Sequence, residues 1–251
     1  MNAKFMKTTA GFAVGALFTI NASAQLVDLG PGSFTPLAPV ITFDEFATGT
    51  VNPSITVAAG SLGNVTVSTA GSFVGQTVFA IHPGVNSISG TPTGPLALNT
   101  APGAATVSTV FDGAPGATSP VLSGSPTFNG PISVLFSTPV AAVGLKGGYF
   151  DAVGSTEIEA FDMNGNSLGH IFNSVLGFEF YGLADASGAA DIAGLSFYVN
   201  GTEPAGFEID NLTFGAAEQV IIPGTPDFGS TVGLLGLALS GLALIRRRLQ
   251  K

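Results

Sequence analysis

Sixteen carboxylates, two histidines and no cysteine limit the chemistry open to this 251-residue chain. Asp162-Met163-Asn164-Gly165-Asn166 sets three oxygen-bearing side chains at alternate positions. That is the spacing at which a loop begins to wrap a hard cation such as calcium. The bidentate glutamate that closes such a loop is missing, because Asn173 stands at its distance. Asn-Gly between two apolar runs is also the strongest short signal for a β-hairpin turn, and the turn is the preferred reading. Gly165-Asn166-Ser167-Leu168-Gly169, followed by His170, has the spelling of a nucleophile elbow. An elbow needs a strand, a strained turn and then a helix. No helical pattern follows here, the adjacent histidine falls on the opposite face of a strand, and only His82 is left as a base.

Two further constellations involve the last acidic strand. Glu208-Ile209-Asp210 resembles the opening of the E-I-D-x-x-E signature of laminarinase-type glycoside hydrolases, but Thr213 and Phe214 stand where the third acid belongs. Retaining hydrolysis uses two carboxylates about 5–5.5 Å apart across a sugar, and the chain has no tryptophan to line a sugar groove. Ile41-Thr42-Phe43-Asp44-Glu45-Phe46 opens the β-rich block and Phe207-Glu208-Ile209-Asp210-Asn211-Leu212 closes it. This pairing of ends resembles carbohydrate-binding modules that hold a structural calcium between first and last strands. The resemblance implies Asp44 or Glu45 together with Asp210 as oxygen ligands, with ordinary exposed acids as the alternative. Tyr149, Tyr181 and Tyr198 are the only tyrosines, candidates for sugar stacking or for core and edge packing.

The elements that must position these residues are strands. Glycine (35) and proline (16) are abundant, only 9% of residues are charged, and β-branched and aromatic runs alternate with turn clusters. The runs predict strands at 40–46, 64–69, 77–81, 105–111, 131–137, 140–145, 156–162, 167–173, 179–183, 193–199 and 207–214. Ile132, Val134 and Phe136 alternate with Ser133, Leu135 and Ser137, and Ile158 and Ala160 with Glu157 and Glu159, which predicts one buried and one wet face. Segments 84–102 and 113–131 read as long loops. Phe207 and Ile209 share one parity and Leu212 and Phe214 the other, which predicts a β-bulge near Asp210-Asn211. The fold class expected is all-β, a jelly-roll-like β-sandwich over residues 40–217, preceded by a leader at 25–39 and followed by a linker at 218–224. Without cysteine the domain must be held by burial, by hydrogen bonds or by metal such as a structural calcium.

Charge divides the chain. Of seven basic residues, six lie in the terminal segments, so Gln25 to Pro223 keeps fifteen acids against Lys146 alone, a net charge of −14. Nucleic acid and anionic lipid surfaces, which need cations to neutralise phosphate, are poor partners for this stretch, and no nucleic-acid partner is expected. Calcium, a cationic matrix or plain colloidal repulsion fit the sign.

Both ends read as processing signals. Lys4 and Lys7 precede an apolar run from Thr8 to Ile20, and Ala22-Ser23-Ala24 is a cleavage site, so residues 1–24 form a signal peptide cut between Ala24 and Gln25 by signal peptidase. Near the other end, Thr225-Pro226-Asp227-Phe228-Gly229-Ser230-Thr231 precedes an apolar run at 232–245, then Arg246, Arg247 and Arg248. Fourteen helical residues reach roughly 21 Å, short of a ~30 Å hydrocarbon core, and the arginines hold the cytoplasmic side. This tail, residues 225–251, resembles the PEP-CTERM sorting signals and most closely the VPDSG-CTERM variant. Pro226, Asp227, Gly229, Ser230 and Thr231 match the motif, and Thr225 and Phe228 depart from its commonest form. The resemblance implies a transient transmembrane helix, cleavage by an exosortase, and delivery to the surface or matrix of a Gram-negative-type bacterium that makes extracellular polysaccharide. The function expected is a non-catalytic structural or interaction role. The alternatives are a calcium-assisted carbohydrate-binding module and, last, an extracellular glycoside hydrolase.

Overall fold

The computed structural model describes residues 26–112, 119–201, 203 and 207–223. The signal-peptide site at Ala24 and Gln25, and the whole sorting tail with its span at 232–245 and arginine cluster, lie outside the described residues. Among the described residues no helix is long and apolar enough to cross a membrane. Helix is confined there to three single 3-10 turns.

The strands, in chain order, are β1 (Leu26–Asp28), β2 (Val40–Ile41), β3 (Ser54–Ala58), β4 (Asn64–Ala70), β5 (Thr77–His82), β6 (Val85–Ser89), β7 (Val107–Phe111), β8 (Pro120–Gly124), β9 (Ile132–Val140), β10 (Ala142–Phe150), β11 (Thr156–Phe161), β12 (Ser167–Phe172), β13 (Gly177–Asp185), β14 (Ile192–Val199) and β15 (Glu208–Gly215). Seven form one antiparallel sheet in the order β1-β13-β10-β15-β8-β7, with β2 also paired to β15. Six form a second in the order β12-β11-β14-β9-β4-β3, and β5 with β6 makes a separate hairpin. The inner faces share one core. Val143, Leu145, Tyr181, Leu183, Ile209, Leu212 and Phe214 from the first sheet meet Val65, Val67, Ile132, Val134, Phe136, Ile158, Leu195 and Phe197 from the second. Phe197 stands edge-on to Phe150, Tyr181 and Phe207 at the centre. Each such buried ring stabilises the sandwich by roughly 1.5–3 kcal/mol of transfer free energy.

The alternation in β9 and β11 places the predicted residues inward. Ile132, Val134, Phe136, Ile158 and Ala160 all lie in the core. The opposite face of β9 is exposed at Ser137 but closed towards its start. Ser133 and Ser196 are fully buried and bond to each other at 3.0 Å. The outer face of the six-stranded sheet is roofed by the β5–β6 hairpin and by 71–99, where Phe73, Leu96, Phe161 and Ala193 form a satellite core. Ser87 of the hairpin donates to the Val199 carbonyl at 2.5 Å. Part of this roof is 84–102, read from sequence as loop because proline and glycine hide β6.

Three other boundaries differ from the sequence expectation. The 40–46 run is strand only at β2. Phe43 then adopts a left-handed φ of 62°, and Phe46 closes a turn on the Phe43 carbonyl. Residues 26–39 are more than a leader, since β1 pairs with β13 and Leu29 is buried. Residues 218–223, expected as linker, are tied down as well, with Val220 and Ile222 packed on Leu29, Ala142 and Ala184. The bulge predicted near Asp210-Asn211 is present. The β10–β15 register shifts between Gly144↔Thr213 and Lys146↔Asp210, and Asn211 has φ 49°.

Candidate functional site

Strand parity on the seven-stranded sheet decides what its outer face carries. Phe207 and Ile209 point into the core, so Glu208 and Asp210 point out. Leu145 points in, so Lys146 and Gly148 point out. Tyr181 points in, so Phe178 and Phe180 point out. The register then juxtaposes them: Lys146 lies opposite Asp210 and Phe180, and Gly148 lies opposite Glu208. A second bulge, on β10 between Gly147 and Phe150, turns Tyr149 with a left-handed φ of 66°. Bulges re-aim side chains, and a non-glycine residue held at positive φ stores strain of the kind found at ligand sites.

The resulting cluster is acidic and aromatic. The Tyr149 hydroxyl donates to Asp112 Oδ1, and its ring meets Phe178 edge-on at 4.7 Å between centroids. The Lys146 ammonium stands 5.0 Å from the Phe178 centroid. Both Asp210 oxygens accept from Asn211, the backbone N–H at 2.7 Å and the side-chain amide at 2.6 Å. Glu208 is 2% exposed, and its Oε2 has no hydrogen-bond partner. Burial, reinforced by the charges of Asp112 and Asp210 and only partly offset by Lys146, pushes its carboxyl up to about 8. Glu208 is therefore largely neutral at pH 7. Burial also raises Asp210, against the pull of the Asn211 N–H and Lys146.

The other sequence candidates are placed differently. Asp44 accepts from the Ser119 hydroxyl at 2.6 Å and lies close enough to Asp210 to raise it. Glu45 folds back on Thr42, taking its N–H and hydroxyl at 3.3 Å. Asp44 and Asp210 thus face a shared region while Glu45 closes its own turn. Among the described residues no three of His, Asp and Glu converge as a metal site. Asp162 spends its oxygens on Asn164 and Asn166 across the β11–β12 turn, which is the hairpin reading of that motif. Ser167 begins strand β12 within that hairpin, and His82 Nε2 is 2.7 Å from the Glu203 carbonyl, on a different hairpin. The elbow spelling has no elbow geometry.

One cluster was not singled out in the sequence. Tyr198 lies 3.0 Å from Glu157 Oε1 and 3.2 Å from Glu159 Oε2, while Asn200 donates to Glu157 Oε2 at 2.6 Å. His170 Nδ1 is 3.4 Å from Glu157 Oε1. A phenol has one proton, so it cannot donate to both carboxylates at once. Burial raises Glu157, and Tyr198 and His170 hold it down in part. The alternation of Glu157 and Glu159 shows in the sequence, but the tyrosine and histidine come from neighbouring strands.

Solved structures similar to this chain include the following two. The enzymatically active domain of tailspike protein 4 from bacteriophage CBA120 is 17% identical over 70% of this chain and 20% of its own, with a TM-score of 0.24. This chain thus spans about a fifth of that domain. The family 11 carbohydrate-binding module from Clostridium thermocellum, solved with a β-1,3-1,4-mixed-linked tetrasaccharide, is 10% identical over 78% of this chain and 98% of its own, with a TM-score of 0.22. At such TM-scores neither likeness carries an argument about this protein. No curated protein matches the chain. The match that does carry weight is to the tail: residues 226–249 fit the VPDSG-CTERM motif, so the chain bears a C-terminal sorting signal of the PEP-CTERM kind.

Proposed function

We propose that this is an exported surface protein of a Gram-negative-type bacterium. Signal peptidase releases it after Ala24, an exosortase processes it at its C-terminal signal, and it serves without catalysis in the cell surface or extracellular matrix. The observation that carries this reading is the VPDSG-CTERM motif at 226–249. The strand directions agree with it. Leu26 pairs with Asp185, Ala142 lies opposite both Ala184 and Gly215, and Val220 and Ile222 pack on Ala142 and Ala184. Leu26 and Ile222, close to the two limits of the described unit, thus lie at one end of the sandwich.

A non-catalytic role is supported by the geometry of the polar groups. Ser167 begins β12 inside a hairpin, without the helix that a nucleophile elbow needs. Glu208 Oε2 is sealed from solvent, so the Glu208–Asp210 pair does not present two free carboxylates to a sugar. The test is the intact mass of the protein recovered from envelope and medium, in cells with and without the exosortase. Loss of the residues beyond the 225–231 motif only where the enzyme is present is the expected result. An unprocessed tail in both strains overturns the reading.

The second reading, a glycan-binding module, is favoured by one observation, the exposed Phe178 ring beside Tyr149 and the carboxylates.

A further inference from the structure

The two large sheets have four outer strands, and three of these are guarded against pairing with another chain. β1 is three residues long and ends in Asp28. The outer side of β7 is taken by 49–52, where the Gly49 N–H donates to the Thr109 carbonyl at 2.7 Å and the Asn52 N–H to the Val107 carbonyl at 2.9 Å. β12 is broken by a register shift against β11 and by Gly169 at φ 137°. Short strands, charges, irregular register and covering chain are the usual means of blunting an edge. β3 has none of them. Its residues Ser54-Ile55-Thr56-Val57-Ala58 hold no charge and no proline, and they pair with β4 in unbroken register. No strand among the described residues pairs with its other side. Ala59 donates its N–H to the Gly63 carbonyl, so the hydrogen-bonded pairs between β3 and β4 fall at Ala59, Val57 and Ile55. Thr66, opposite Thr56, accordingly turns its N–H the other way, to the Ser137 hydroxyl at 2.9 Å. Ser54, Thr56 and Ala58 therefore aim their backbone N–H and C=O groups along the open edge. Their side chains are exposed, while Ile55 and Val57 lean on the core and stay only partly covered.

Charge leaves the same region clear. Phe46 to Phe111 contains no Asp, Glu, Lys or Arg, and neither do β9 and β14, so the acids of this sheet begin at Glu157 and Glu159 on β11. That strand is four places from β3, about 19 Å, or nearly two Debye lengths at 0.1 M salt. We propose that β3 pairs antiparallel with β3 of a second copy of this chain, joining the six-stranded sheets of two molecules edge to edge. The strand is its own complement. With Thr56 on the two-fold axis, Ser54 of each copy lies opposite Ala58 of the other, and Ile55 opposite Val57, which closes the partly covered rim of the core. Two chains that each carry −14 between Gln25 and Pro223 can meet only where charge is absent, and this edge meets that condition. Glu218, which accepts from the Ser61 hydroxyl beyond the end of β3, falls roughly 30 Å from its equivalent across such a pair. Pairing at β3 does not depend on how the tail is processed, so the mass measurement above and the measurement below fail separately.

The test is sedimentation velocity of the protein recovered from the host, over a range of concentrations and at low and high salt. A monomer–dimer equilibrium is expected, tightening as salt screens the net charge. Thr56→Lys and Thr56→Glu change the net charge in opposite directions, yet each sets like charges face to face across the axis. Each should weaken dimerisation about tenfold or more. Ser167→Lys, on the outer strand at the other side of the same sheet, should leave it unchanged. Thr56→Cys should give a disulfide-linked dimer on mild oxidation, because Cα atoms of a hydrogen-bonded antiparallel pair lie about 5.5 Å apart. The chain has no other cysteine to compete, and Ser167→Cys should stay monomeric under the same oxidation. Thermal melts of each variant separate lost pairing from lost folding, and Thr56→Cys carries the test if the charged variants do not fold. A monomer at every concentration and salt, a dimer that survives both charged variants, or equal cross-linking of Thr56→Cys and Ser167→Cys overturns the proposal. Growth beyond a dimer, or association only with a different protein, overturns it too.

Discussion

The outer face of the seven-stranded sheet is closed at one end and open at the other, although the same three strands build both. At the closed end, Leu29, Val220 and Ile222 cover Ala142 and Ala184, with Phe34 and Phe180 crossing above Gly144. Gln219, 2% exposed, locks the cover by donating to the Leu37 carbonyl at 2.7 Å and accepting from the Ala216 N–H at 3.0 Å. At the open end the glycine and ring motif recurs as Gly148 and Phe178, but no segment among the described residues packs over the ring as Phe34 does over Gly144. Aromatic-on-glycine packing thus serves as core where chain covers it and as presented surface where chain does not. The difference lies in what the neighbouring segments supply.

The largest expected effect tests whether the open end carries a cost in stability. Glu208 holds its proton to about pH 8 in the folded protein, against an ordinary 4.5. Between those values the native state binds more protons than the unfolded state, so stability falls as pH rises through that window and levels off above it. Glu208→Gln should flatten this slope and leave the variant more stable at pH 8.5, by an amount on the order of a few kcal/mol. Denaturant titrations at pH 4, 6 and 8.5 read it. A parallel slope in the wild type and the variant would show that Glu208 is already solvated or paired.

Next is a glycine at the closed end. A Cβ at Gly182 would sit 2.7 Å from the Leu29 backbone carbonyl, which cannot yield without disturbing the Leu29 N–H to Gly182 bond. Gly182→Ala should cost about 1–3 kcal/mol in chemical denaturation. Gln219→Ala should cost about 1–2 kcal/mol, because it orphans the buried Ala216 N–H and releases the Leu37 carbonyl. The smallest effect on stability falls at the open end. Gly148→Ala meets only the Phe178 ring, which can swing outward, so the loss should stay under about 1 kcal/mol. If Gly148→Ala proved as costly as Gly182→Ala, the open end would be core after all.

Several parts of this arrangement are legible in the chain itself. The parity switch across Phe207, Ile209, Leu212 and Phe214 predicts the bulge, because core-facing residues two apart cannot change face without an extra residue. Asn164-Gly165 predicts its hairpin, and the alternation in β9 and β11 predicts which residues point inward. β3, β6 and β8 are not legible. They are short and interrupted by Ser, Pro or Gly, so their strand state rests on partners distant in sequence. β3 owes it to β4, where Thr56 and Thr66 bond across the pair at 2.8 Å, and β8 to β7.

The candidate site shows the same division. Glu208 and Asp210 stand out in the sequence as acids two apart on a strand. Their neighbours Lys146, Phe178, Tyr149 and Asp112 lie between about 30 and 100 positions away and share no local pattern; the β10–β13 and β10–β15 registers bring in the first three, and the β15–β8–β7 pairing brings in Asp112. The opening run offers Asp44 or Glu45 as a companion for Asp210, and the turn at Phe43 folds Glu45 back on Thr42.

What the sequence determined by itself is what contiguous residues can encode: the strand-rich class, the sign of the charge and the sorting signal at 226–249. Tertiary structure decided the rest, namely which outer face is roofed, which glycine seats a buried ring and which an exposed one, and which carboxylate is left without a partner. The physical reason is that burial belongs to the packing of distant segments, and no local spacing records which segment will arrive.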